Sequence, residues 1–169
     1  MTPPEAPSFR VSSESFQDGQ TLPPPQRGAA TGAGAKDESP QLSWSGAPAG
    51  TLSYAVTVFD PDAPGRGGFW HWAVTDLPAS VTSLPAGAGA RGGQLPPGAV
   101  QLRNDGGGPG YMGAAPPRGH GPHRYVVTVH ALDVAQSGID AGSSPAKLEA
   151  ALAPHTLARA SLTGIYERH

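Results

Sequence analysis

The stretch TLSYAVTVFDPDAP, Thr51–Pro64, decides how the rest of this chain is read. From Thr51 to Asp60 it alternates as a strand does, placing Leu52, Tyr54, Val56, Val58 and Asp60 on one face. A carboxylate ending an otherwise apolar face is out of place on a surface and at home in a pocket at the strand's end. Pro61 and Pro64 then stiffen a turn that carries a second carboxylate, Asp62. The plainer role for Asp62 is an Asx-type turn, its carboxylate accepting backbone N–H groups. A share in the pocket is the alternative.

Working outward, Phe69–Asp76 reads as a second strand. Strict alternation puts His71, Ala73 and Thr75 on one side and Trp70, Trp72 and Val74 on the other, so small neighbours leave room beside His71. Arg124–Leu132 reads as a third strand, with His123, Tyr125, Val127 and Val129 on one face. Along that face His123 and Tyr125 lie about 7 Å apart. A shorter strand begins at Leu42 and Trp44 and is closed by Gly46-Ala47-Pro48. The long segment Leu77–Gly121 is rich in Gly and Pro, with brief strands expected near Val81–Leu84 and Ala99–Leu102. Ser144 can cap a helix that starts at Pro145 and runs through Lys147–Ala153. Pro154 should break it and restart a short helix around His155–Ala160, with Gly164 near its stop. Several strands, many turns and helices confined to one end predict a mainly β fold, an antiparallel two-sheet β-sandwich with C-terminal helices.

Composition bounds the remaining choices. The 169 residues suit one domain over 8–169, with residues 1–7 a flexible tail. The 24 glycines and 20 prolines make a loop-heavy chain, but they are clustered between dense apolar runs. A net charge of −2 without a basic stripe argues against nucleic-acid binding. No apolar run approaches a transmembrane helix and no secretory signal is visible, so a cytoplasmic protein without membrane insertion is expected. Without cysteine there is neither a disulfide nor a thiolate metal site.

The chemistry therefore gathers in one pocket built from Asp60, His71, His123 and Tyr125. The run Gly113–Gly119 can add a rim of backbone N–H groups, a nest of the kind that binds anions, with Ala114, Ala115, Pro116 and Pro117 at its centre. His120, His130, His155 and His169 read as exposed or structural. A metal held by Asp60, His71 and His123 is the minor reading, and no metal or cofactor is assigned. There is no G-x-S-x-G, and no serine falls inside the stretches that supply the pocket residues, Asp60–Pro64, Phe69–Trp72 and Gly113–Tyr125.

LSWSGAP (Leu42–Pro48), DPDAP, FWHW (Phe69–Trp72), Asn104-Asp105, GYMG (Gly110–Gly113), PPRGHGPHRY (Pro116–Tyr125) and the closing LTGIYER follow one another over about 125 residues. As a set they resemble the phosphatidylethanolamine-binding protein family, which includes the Raf kinase inhibitor protein, and most closely its bacterial branch. The resemblance implies a two-sheet sandwich with one anion pocket, formed by Asp60, His71, His123 and Tyr125 and rimmed by the Ala114–Pro117 backbone. It also implies phosphate, phosphorylated head groups or similar anions as ligands, and a homodimer as in many bacterial members. One departure stands out. The bacterial branch usually carries Gly-Pro-Cys-Pro-Pro where this chain has Gly113-Ala114-Ala115-Pro116-Pro117, which predicts a looser or wider rim.

Three functions fit. The first is a small-anion or phospho-ligand binding protein without turnover. The second is a pathway enzyme in which His71, His123, Asp60 and Tyr125 do acid–base work such as cyclisation, isomerisation or elimination. The third is a kinase-regulating interaction module whose protein partner the sequence does not name. In the binding reading, Asp60 either shares a proton with the anion or keeps a neighbouring histidine charged.

Overall fold

The computed structural model describes residues 8–64, 67–90 and 93–169; the tail expected at residues 1–7 lies outside them. Eight strands and one α-helix follow in chain order: β1 (Arg10–Ser12), β2 (Leu42–Ser45), β3 (Ser53–Asp60), β4 (Phe69–Pro78), β5 (Ser83–Leu84), β6 (Val100–Gln101), β7 (His123–Leu132), α1 (Pro145–Leu152) and β8 (Thr156–Tyr166). They form a small sheet, β1-β2-β5, and a large one, β6-β4-β3-β7-β8. All pairings between these strands are antiparallel.

The main core lies between the sheets. Tyr54, Val56 and Val58 of β3, Trp72 and Val74 of β4, and Val127 and Val129 of β7 are buried against Leu42, Trp44 and Leu84 of the small sheet. This is the two-sheet sandwich that the alternation predicted. Its first residue differs, for Leu52 precedes β3 and is half exposed. The other face of the large sheet is covered at one end by α1, whose Leu148 and Leu152 pack on Ala55, Ala73, Leu102 and Leu132. Ser144 caps that helix, its side chain accepting the Lys147 N–H at 3.2 Å, and Pro145 opens it.

The second C-terminal helix does not form. After α1 the chain makes a single 3₁₀ turn, Ala153–His155, and enters β8. Leu157, Ala158, Arg159 and Ala160 are good helix formers, but propensity is a weak prior. Here Ala158, Ala160, Leu162 and Gly164 alternate into the core while β8 pairs with β7 from His123↔Tyr166 to Leu132↔Thr156. Ladder and burial together outweigh the preference. Gly164 is no helix stop; it lies beneath Leu22 and Phe16, where a Cβ would meet the Leu22 side chain at 2.8 Å. The outer edge of β8 is covered by the N-terminal segment. Gly19 and Leu22 donate to the Thr163 and Ile165 carbonyls at 2.7 and 2.8 Å, and Ile165 donates back to Gln20 at 2.9 Å. No described helix is long and apolar enough to cross a membrane.

On the outer face of the large sheet His130 is buried, and among the described residues its ring has one hydrogen-bond contact, Thr57 Oγ1 at 3.4 Å. Burial, with Arg159 nearby, pushes its imidazole down to about 4. The unfolded chain therefore takes up this proton first as pH falls below about 6.5. Stability should drop by roughly 2 kcal/mol between pH 7 and 5 from this group alone. Urea unfolding at the two pH values checks it: His130→Gln should shrink the drop, and an undiminished drop would contradict the assignment.

Candidate functional site

The site is assembled where β3 ends. Asp60 is 2% exposed, and both its oxygens are engaged. Oδ1 accepts the Asp62 N–H at 2.8 Å, which closes the DPD turn. Oδ2 accepts from His123 Nδ1 at 2.6 Å. Asp62 turns the other way, toward Arg124. Its carboxylate accepts the Arg124 backbone N–H at 2.8 Å, Nε–H at 3.0 Å and Nη2–H at 2.9 Å. These bonds hold the Asp62 carboxyl down at about 2. One short turn thus clamps the start of β7 twice, through His123 on the inner face and Arg124 on the outer.

His71 reaches the pocket through a β-bulge. Val58 pairs with Trp72 and Phe59 with Trp70, leaving His71 as an extra residue on β4. His71 and Trp72 therefore face the same way, and Ala73 packs on the opposite face. The alternation expected from sequence, with His71 beside Ala73 and Thr75 and away from Trp72, is corrected by this bulge. The space beside His71 comes from the rim, not from small strand neighbours. His71 Nδ1 donates to the Met112 carbonyl at 2.7 Å, so its Nε2 carries the free lone pair. Burial pushes this imidazole below its usual range and outweighs the Met112 bond, which keeps the ring neutral. Tyr125 packs edge-on against His71, centroids 5.2 Å apart, and stacks beside His123 at 6.4 Å. Burial first, then Asp60, push its hydroxyl upward, so it stays a proton donor.

The rim comes from Met112–Pro117. Met112 N–H donates to the His71 carbonyl at 2.9 Å, tying rim to strand. Gly113 N–H donates to Asp37 Oδ1 at 2.8 Å, and Ala114 N–H to the Gln26 carbonyl at 3.2 Å. With these two amides engaged and Pro116 and Pro117 lacking N–H groups, the centre of the expected anion nest, Ala114–Pro117, is left with the Ala115 amide alone. The expected loosening at Ala114 is met by the same bond. Where a proline has no donor, Ala114 donates to Gln26 and accepts from Gly28 N–H at 2.8 Å, buried in a bridge with Arg27.

The resulting cavity holds about 200 Å³. Asp60, His71, His123 and Tyr125 line it together, with Ala115, Pro116 and Pro117 on the rim. Two of the expected residues do not line it: Asp62 is spent on Arg124, and Ala114 is packed behind the rim. Phe69 and Met112 also line it and were missed, while Gly113, the first residue of the expected rim run, lines it too. Phe69 was findable, being two residues before His71 on the same strand. His120, read as merely exposed or structural, places Nδ1 2.6 Å from His123 Nε2. Among the described residues no three carboxylate or imidazole groups converge as metal ligands. Chemically the cavity offers an acceptor at His71 Nε2, a donor at the Tyr125 hydroxyl, and His123 backed by a buried carboxylate.

Fold and site define a β-sandwich protein whose main sheet carries, at one end, a pocket in which a carboxylate, two histidines and a tyrosine meet an apolar rim. The phosphatidylethanolamine-binding protein model matches residues 12–167, and the chain belongs to that family. It is 44% identical to the UPF0098 protein YbcL of Escherichia coli K12 over 164 residues, 96% of this chain and 90% of YbcL. The UPF0098 protein YbhB of the same organism is 43% identical over 158 residues, 94% of this chain and 99% of YbhB. The crystal structure of E. coli YbcL, described as a new member of the mammalian PEBP family, aligns with a TM-score of 0.91 over 96% of this chain and 99% of that one. CT736 from Chlamydia trachomatis aligns at 0.80 with 32% identity, over 96% of this chain and 99% of its own.

The rim allows a direct check. A Cβ on Gly113 would collide with the Arg27 carbonyl and the Gly28 nitrogen, both backbone. Gly113→Ala should destabilise the protein by about 1–3 kcal/mol and pull Met112 from His71. Chemical unfolding reads the first effect, and loss of the hydrogen-bonded His71 Nδ1–H resonance reads the second. An unchanged resonance would contradict the rim's role in orienting His71.

Proposed function

We propose that the protein binds small oxyanions of the phosphate and phosphomonoester class in this pocket, without turning them over. The observation that carries the reading is the pairing of a neutral acceptor, His71 Nε2, with a neutral donor, the Tyr125 hydroxyl, beside a histidine backed by Asp60. A hydrogen phosphate group can donate its P–OH to His71 and accept from Tyr125, and His123 can supply positive charge. Asp60, with both oxygens engaged, acts by holding His123 and not by sharing a proton with the anion. The description of the family as phosphatidylethanolamine-binding favours the same ligand chemistry. No serine or threonine lines the cavity among the described residues, and the chain has no cysteine, which favours binding over covalent turnover.

Calorimetric titration with inorganic phosphate and with O-phosphoethanolamine tests the reading. Both ligands should bind, and both should be recovered unchanged. Tyr125→Phe and His71→Ala should each weaken binding by about tenfold or more, the value of one hydrogen bond to a charged group. Affinity should fall as pH rises, because P–OH and imidazolium protons are both lost in that direction. An affinity that stays flat from pH 5 to 8.5, or consumption of the ligand, would overturn it.

A further inference from the structure

We infer that His120 belongs to the pocket as the proton port of His123: the two imidazoles share one proton, and the exposed ring connects the buried one to solvent. The inference rests on the oxyanion-binding reading and extends it to the source of the positive charge. His123 is 1% exposed, and both its nitrogens are engaged, Nδ1 on Asp60 and Nε2 on His120 Nδ1, each at 2.6 Å. Two imidazole nitrogens at that distance need a proton between them, since two lone pairs would repel. His120 itself is exposed.

The loop is shaped to deliver it. Gly119 and Gly121 flank His120 at φ of +72° and +90°, a left-handed conformation that turns the chain back over His123. The Gly119 N–H is anchored on the Arg168 carbonyl at 2.8 Å and the His120 N–H on the Pro117 carbonyl at 3.2 Å. Neither glycine is needed for space, because nothing lies within 4 Å of a Cβ at either position.

The proton step balances within the pair. Solvent protonates His120 at its outer nitrogen, Nε2. The Nδ1–H bond of His120 breaks as a bond forms to His123 Nε2, leaving an imidazolium against the Asp60 carboxylate on the cavity wall. The buried ring thus gains charge without the fold opening. The surrounding elements carry Asp60 at the end of β3 and Asp62 in the turn after it, His71 on β4, Arg124 and Tyr125 on β7, Tyr166 on β8 paired with His123, Arg118 in the loop, and Glu167, Arg168 and His169 in the tail. Among these only Asp60 is hydrogen-bonded to the pair, and Asp62 is held by Arg124.

The test counts protons. Phosphate binding at pH 7, measured by calorimetry in buffers of differing ionisation heat, should take up close to one proton in the unaltered protein. In His120→Ala the uptake should fall several-fold, with affinity about tenfold weaker at pH 8 and nearly unchanged at pH 5.5. His120→Gln, which offers His123 Nε2 an amide oxygen, should recover part of the affinity at pH 8. Wild-type uptake and pH profile in His120→Ala would overturn the inference. Should the unaltered protein bind no phosphate, the proposed function falls, and ring ¹⁵N spectra of the ligand-free protein decide the proton pair separately. Resonances of His120 and His123 that move through the same transitions support it, and independent transitions overturn it.

Discussion

The site depends on one buried carboxylate with no oxygen to spare. The Asp60 carboxyl group, at 2% exposure, needs partners for both oxygens, because a buried polar group left unpaired is costly. Its partners come from two directions. The Asp62 N–H belongs to the same turn, and His123 Nδ1 belongs to β7. The carboxylate therefore fixes both the exit of β3 and the orientation of the histidine that faces the cavity. Asp62 repeats the arrangement on the outer face with Arg124, so the turn and the start of β7 are locked in register.

The remaining walls follow from backbone irregularity. Without the bulge at His71, strand alternation would send either His71 or Trp72 away from the core side. With it, Trp72 keeps its place in the core and His71 opens onto the cavity. The rim is built from backbone hydrogen bonds in place of proline stiffness. Met112, Gly113 and Ala114 are tied to β4, Asp37 and Gln26 respectively, so the wall beside His71 is held from three separate segments.

Much of this was legible in the sequence, for physical reasons that can be named. Period-two alternation in β3 and β7 was enough to place Asp60, His123 and Tyr125 on one face, because both strands run without interruption there. His71 lines the cavity, but through a bulge and not the regular alternation read from sequence; a bulge has no signature in residue type here. The strand β8 was hidden behind helix-forming side chains, and only its pairing with β7 and its alternating burial decide it. Asp62 and Ala114 are three-dimensional questions: which way each turns depends on Arg124 and on Gln26, distant in sequence. His120 was set aside because it lies in a loop. The Gly-His-Gly pattern around it was the available signal, since paired left-handed glycines mark a reversal that can carry a side chain back onto the site.

The central claim is that the pocket takes its ligand on His71 and Tyr125 while Asp60 stays on His123. A high-resolution crystal structure of the protein grown with inorganic phosphate tests it most directly. Phosphate oxygens should lie within hydrogen-bond distance of both His71 Nε2 and the Tyr125 hydroxyl, with the Asp60–His123 bond intact. Phosphate bound only outside the cavity, or Asp60 released from His123 to meet it, would contradict the account.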